Sequence, residues 1–225
     1  MQTKRVGSSA PQLRITVLLG VLVLVAVGAS NLTGCMFGPS KAEQLSAAKT
    51  AYDRGDFTKS AEQLKGLVAA DGGNLDARAQ LGLVLAAMGD NAGALEQYAA
   101  ILERDPKNVT ALYRLAVIER IVGKPAQASA HFAKALEVKP TDAKLLDEAA
   151  RTKMILGDFK GAAALWGKVL ESPKLAPRLR KKILMLQGEA YQDARSYGRA
   201  KASFVAALKL DPKDRALEAR IKSFQ

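Results

Sequence analysis

Residues 79–106 read "AQLGLVLAAMGDNAGALEQYAAILERDP", and this stretch decides the fold. Leu81, Gly82 and Leu85 recur at the spacing of one helix face. Gly89 ends that helix, because glycine takes the left-handed conformation that closes a helix without a Cβ penalty. Ala94, Tyr98 and Ile101 then mark the face of a second helix. Asp105-Pro106 closes the stretch, since proline cannot continue a helix and restricts the residue before it. The local expectation is helix, tight turn, helix.

The same punctuation recurs along the chain. Gly55, Gly89, Gly123 and Gly157 stand 34 residues apart, as do Ala94, Ala128 and Ala162, Tyr98, Phe132 and Trp166, and Pro106 and Pro140. Ala200, Phe204 and Pro212 continue the series after one step widened to 38 residues. A fixed period of 34 with Ala-x-x-x-aromatic and a later proline resembles the tetratricopeptide repeat. That resemblance implies an all-α, right-handed superhelix of about five helix-turn-helix units, at 41–74, 75–108, 109–142, 143–180 and 181–214. Residues 215–225 would form a capping helix with Leu217 and Ile221 turned inward. Composition agrees: 48% of the 225 residues are apolar and only 5% aromatic, which favours close-packed helices over a β-sandwich. Gly82, Ala116, Ala150 and Gly188 keep the paired helices close, and the aromatic series fills the space beside them as core. The first unit departs most, with Ser60 in place of alanine and Gly72 in place of proline; Pro173 of the fourth comes one position early.

Before the repeats lies a different pattern. Lys4, Arg5 and Arg14 precede "ITVLLGVLVLVAVGA", Ile15 to Ala29, and Cys35 follows as the only cysteine. Basic, then apolar, then small residues is the layout of an export signal. Fifteen residues rise ~22 Å as a helix, short of a ~30 Å hydrocarbon core; an uncleaved membrane anchor is the competing reading. Leu32-Thr33-Gly34-Cys35 resembles the bacterial lipobox. The resemblance implies cleavage between Gly34 and Cys35, a diacylglycerol thioether on Cys35 with further acylation such as palmitate, and residues 35–40 as a lipidated linker. Residues 1–34 would then be the signal peptide, and the protein would sit at the extracytoplasmic face of a bacterial membrane, the outer membrane in a two-membraned cell.

The formal charge of +12 is unevenly placed. From residue 41 onward the first three units sum to zero, and the excess of +9 lies beyond residue 142. Much of it falls in "KLAPRLRKK", 174–182, at the widened step. Four extra residues are about one helical turn, and Pro177 suits the first position of a helix. The fifth unit's first helix is therefore expected to start one turn early. Lys174, Arg178, Arg180, Lys181 and Lys182 form a candidate basic patch for an acidic protein surface or anionic lipid; the alternative is a solvated basic turn. At a helix N-terminus positive charge opposes the dipole, and sequence alone supplies no structural benefit for it there.

In tetratricopeptide solenoids the first helices line a groove. By that resemblance the candidate partner-binding residues are Leu83, Tyr113, Val117, Arg120, Ile121, Arg151, Met154 and Ile155, with Ala87 beside them. An apolar groove suits an extended or helical peptide. Ala79 and Leu83 stand where chaperone-binding members carry lysine and asparagine, so that carboxylate clamp is not expected. His131 is the only histidine and reads as a helix-surface residue. No metal cluster, nucleophilic triad or phosphate loop can be assembled from these residues, so no cofactor and no enzymatic activity are expected. Nucleic acid is not expected as a partner, because the basic half lacks interleaved aromatics for stacking. Lipobox plus repeats resembles the architecture of lipoproteins that assist pilus (type IV or tight-adherence) or secretion assembly. Scaffolds for peptidoglycan-processing enzymes have the same architecture.

Overall fold

A computed structural model describes residues 38–224 of the chain. The expectations for the signal peptide, the cleavage site at Gly34 and lipidation at Cys35 lie outside the described residues. The chain divides into two compact units, residues 1–46 and 47–225. Among the described residues of the first, Ser40 and Glu43 form a reciprocal capping box. The Ser40 backbone N–H donates to Glu43 Oε2 at 2.7 Å, and the Glu43 N–H donates to Ser40 Oγ at 3.3 Å. The Ser40 N–H and hydroxyl, both donating to Oε2, hold the Glu43 carboxyl below its usual pKa.

The described residues form eleven α-helices: α1 Lys41–Asp53, α2 Phe57–Ala70, α3 Leu75–Ala87, α4 Asn91–Arg104, α5 Val109–Ile121, α6 Pro125–Val138, α7 Ala143–Ile155, α8 Phe159–Leu170, α9 Pro177–Asp193, α10 Tyr197–Leu210 and α11 Arg215–Lys222. The all-α expectation holds, and the second unit is a row of helix hairpins packed in sequence order. None of these helices is long and apolar enough to cross a membrane.

Local sequence sets each boundary. Asn74, Asn108 and Asp142 cap the first helices α3, α5 and α7 through side-chain oxygens that accept from backbone N–H groups. Asp56, Asp90 and Asp158 do the same for the second helices α2, α4 and α8. Gly55, Gly89, Gly123 and Gly157 all turn at positive φ, between 75° and 84°. The fifth hairpin puts Arg195 at the corresponding turn, at φ 57°, where a side chain costs about 1–2 kcal/mol.

The core is a ladder of aromatics. Tyr98, Phe132, Trp166 and Phe204 are each at most 1% exposed. Each leans on the first helix of its own hairpin, and glycine is needed where the approach is tightest. A Cβ at Gly82 would lie 2.9 Å from the Tyr98 ring, and one at Gly188 would lie 2.5 Å from the Phe204 ring. Burial pushes the Tyr98 phenol up to about 12. Trp166 donates its indole N–H to Asp147 Oδ1 at 2.8 Å, so even its polar atom is satisfied. Leu217 of α11 is 2% exposed and joins Ala200, Phe204 and Ala207 in the last cluster.

Candidate functional site

Tyr113, Val117 and Ile121 on α5, and Asp147, Arg151 and Ile155 on α7, recur at i, i+4, i+8 and so share one face of each first helix. The eight groove residues expected from sequence divide into three kinds. Tyr113, Val117 and Met154 are half-buried and pack against the hairpin cores. Leu83 is half-buried as well. Arg120 and Arg151 are held by acids of the protein itself. Arg120 donates to Glu148 Oε2 at 2.8 Å across the α5–α7 contact, and Arg151 Nε donates to Asp147 Oδ2 at 3.0 Å. Asp147 thus serves both Arg151 and the Trp166 indole, which makes Arg151 a support for the core. Ile121 and Ile155 alone of the eight stand open to solvent, at 65% and 58% exposure.

Those two isoleucines belong to a longer stripe. Met88, Val122 and Leu156 immediately follow the first helices α3, α5 and α7 and are 47%, 38% and 43% exposed. Met88, Val122 and Leu156 obey the 34-residue period. Each stands directly before the turn glycine, and that was the signal in the sequence: a large apolar residue at a turn that has no core to enter. Burying one such side chain is worth about 1.5–3 kcal/mol, and this stripe leaves that unrealised.

At the opposite, N-terminal ends of α5, α7 and α9, basic side chains gather beside the capping and paired acids. A hollow of about 220 Å³ between α5 and α7 is lined by Tyr113, Arg114, Lys139 and Lys144, with Lys144 Nζ 4.7 Å from the centre of the Tyr113 ring. Tyr113 in turn meets Phe132 edge-on at 6.1 Å. A second hollow, about 460 Å³, lies along α9 beside Arg178, Lys182 and Met185.

The widened step behaves as its length predicts. Helix α9 has 17 residues where α3, α5 and α7 have 13, with Pro177 in its first turn. The basic run on this extra turn has a structural use that the sequence concealed. Arg180 donates to the carbonyls of Leu170 at 2.8 Å and Ser172 at 2.6 Å, which lie at and just beyond the end of α8. Carbonyls at a helix C-terminus lack intrahelical partners and attract cations. Lys181 bridges Asp211 at 2.6 Å and Asp214 at 2.8 Å, tying α9 to the turn before α11. These bonds lower the pKa of both aspartates and raise that of Lys181. Of the five basic-patch residues, Lys174, Arg178 and Lys182 remain exposed.

His131, a partly exposed residue on the surface of α6, has a partner that the sequence did not show: its Nδ1 lies 2.8 Å from Glu119 Oε2, and the Glu119 side chain is 9% exposed. The pair borders a hollow of about 600 Å³ on the side of the second helices α4 and α6. Among the described residues, no group of three metal-ligating side chains could hold an ion.

Comparison with known proteins agrees with this geometry. A tetratricopeptide-repeat profile matches residues 45–88 and 80–143, and a second profile of that repeat matches 182–214, together more than half of the chain. A comparison with curated protein sequences gave no match. Among solved structures, a tetratricopeptide-repeat protein of Parabacteroides merdae is 20% identical with a TM-score of 0.68, over 83% of this chain and 73% of that one. MamA from Desulfovibrio magneticus is 15% identical with a TM-score of 0.66, over 79% of this chain and 98% of that one. YrrB, described as a TPR protein with an unusual peptide-binding site, is 14% identical with a TM-score of 0.67, over 81% and 92%. At these identities the likeness is one of fold.

Proposed function

Because this chain belongs to the tetratricopeptide-repeat family, we propose that it works as a scaffold that holds protein partners through the groove of its first helices. The observation that carries this reading is the solvent-open apolar stripe, above all Ile121 and Ile155. Apolar side chains repeated at the same register on successive hairpins form a surface a partner segment can cover. The peptide-binding site of YrrB, on the same fold, supports the reading.

The scaffold is further proposed to be exported and tied to the extracytoplasmic face of a bacterial membrane by lipid on Cys35. Support for this is the lipobox-like "LTGC" behind a basic and apolar leader. Two or more acyl chains make a stable anchor where one is marginal. Pilus or secretion assembly is the proposed setting, on the architectural resemblance alone.

Two measurements test the proposal. Crosslinked recovery of partners from cells should yield specific envelope proteins with the native chain, and lose them with Ile121→Ser/Ile155→Ser. Unchanged recovery would remove the groove from the account. Labelled lipid should enter the native protein and not Cys35→Ser; equal labelling would exclude Cys35 as the anchor.

A further inference from the structure

We infer that the groove takes an acidic amphipathic protein segment, its apolar side along Ile121, Val122, Ile155 and Leu156 and its carboxylates toward Lys144, Arg178 and Lys182. This rests on the groove reading above and adds the chemistry of the partner. The argument is that the groove is polarised across its width. Its apolar edge lies where the first helices end, and its cationic edge lies where they begin. On α7 the two edges are Lys144 and Ile155, eleven residues or about 16 Å apart, which spans the 10–12 Å width of one helix with its side chains.

The cations on that edge are available and the acids near them are not. Among the described residues, Lys144, Arg178 and Lys182 make no salt bridge. Asp142 accepts the backbone N–H groups of Lys144 and Leu145 as a helix cap. Asp147 is held by Arg151, Glu148 by Arg120, Glu189 by Arg220, and Asp211 by Lys181. The carboxylates that line the two hollows, Asp142, Glu189 and Asp211, each have a partner within the protein, which leaves Lys144, Arg178 and Lys182 among the unpaired charges there. Two hollows at this edge, about 220 Å³ beside Lys144 and about 460 Å³ beside Arg178 and Lys182, give side chains from a partner room to enter. Asp76 occupies the corresponding edge of α3, so the acidic part of the partner belongs over α5 to α9.

Selection of random 16-residue peptides displayed against the detergent-solubilised full chain tests this directly. The expected winners combine Asp or Glu with Leu, Ile or Phe at helical spacing. Their binding should fall at least tenfold with Lys144→Glu/Arg178→Glu/Lys182→Glu in low salt, with the difference shrinking in high salt. Ile121→Ser/Ile155→Ser should weaken them at any salt. Winners that need the isoleucines but carry no acidic enrichment overturn the inference and leave the groove reading intact. Winners indifferent to both variants, or no winners, overturn both. Binding of phosphatidylglycerol vesicles that is lost in the charge-reversed variant, with no acidic peptide selected, would assign the cationic edge to lipid and overturn the inference.

Discussion

The middle hairpins and the fifth hairpin answer the same structural problem differently. From α3 to α8 each first helix has 13 residues and ends at a glycine with positive φ. In the fifth, α9 has 17 residues and ends at Arg195 in the left-handed region. Four added residues make about one turn, so the inward face of α9 returns near its original direction. Gly188 still meets Phe204 as Gly82 meets Tyr98. The added turn then gains its own fastenings, Arg180 to the end of α8 and Lys181 to Asp211 and Asp214. A repeat tolerates an insertion when it comes in whole turns and when the new turn has partners.

The largest effect should come from filling the tightest contact that both regions share. Gly188→Val drives a branched side chain into the Phe204 ring and should cost about 3 kcal/mol in urea unfolding. A loss below ~0.5 kcal/mol would mean that α9 and α10 can move apart. Next is the fastening unique to the fifth hairpin: Arg180→Ala removes charge-assisted bonds to two carbonyls and should cost about 1.5–3 kcal/mol. Arg178→Ala, whose side chain has no ion pair, should be near neutral in the same assay.

The turn position gives a contrast in sign. Gly123→Ala should destabilise by about 1 kcal/mol, because alanine resists the left-handed conformation. Arg195→Gly should stabilise by about 0.5 kcal/mol, the strain relieved exceeding the entropy that glycine loses. Thermal melts that move the same way for both would refute the equivalence of the two turns.

The smallest effect is a pH signature. Lys181 holds the Asp211 and Asp214 carboxyls below their usual pKa. Stability from these lowered pKa values is fully present above the unfolded carboxylate value, about 4, and is lost as pH falls through the folded values. Lys181→Met should therefore lower the melting temperature at pH 7, and the gap to the native chain should close in acid. A gap that stays constant from pH 7 to pH 2 would show that the bridge does not contribute.

Much of the fold was legible because it rests on local punctuation. Proline and glycine state their backbone preferences without tertiary help, and Tyr98, Phe132 and Trp166 keep step with them. The groove was legible only in part. Spacing named the face of each first helix but not which side chains the neighbouring hairpin covers. Tyr113 therefore belongs largely to the core, while Ile121 and Ile155 remain open. Charge was the least legible feature. "RLRKK" reads as one patch, yet Arg180 and Lys181 turn to carbonyls and aspartates brought near by folding. Glu119 and His131 are likewise twelve residues apart and meet only across the α5–α6 hairpin.

By itself, the sequence determined the repeat, its 34-residue period, the one-turn insertion and the glycines that close the first helices of the first four units, since these follow from backbone preference and hydrophobic spacing. Only the tertiary structure decided which groove residues face solvent and which cations lack a partner. Exposure and ion pairing depend on neighbouring helices that no local pattern of residues records.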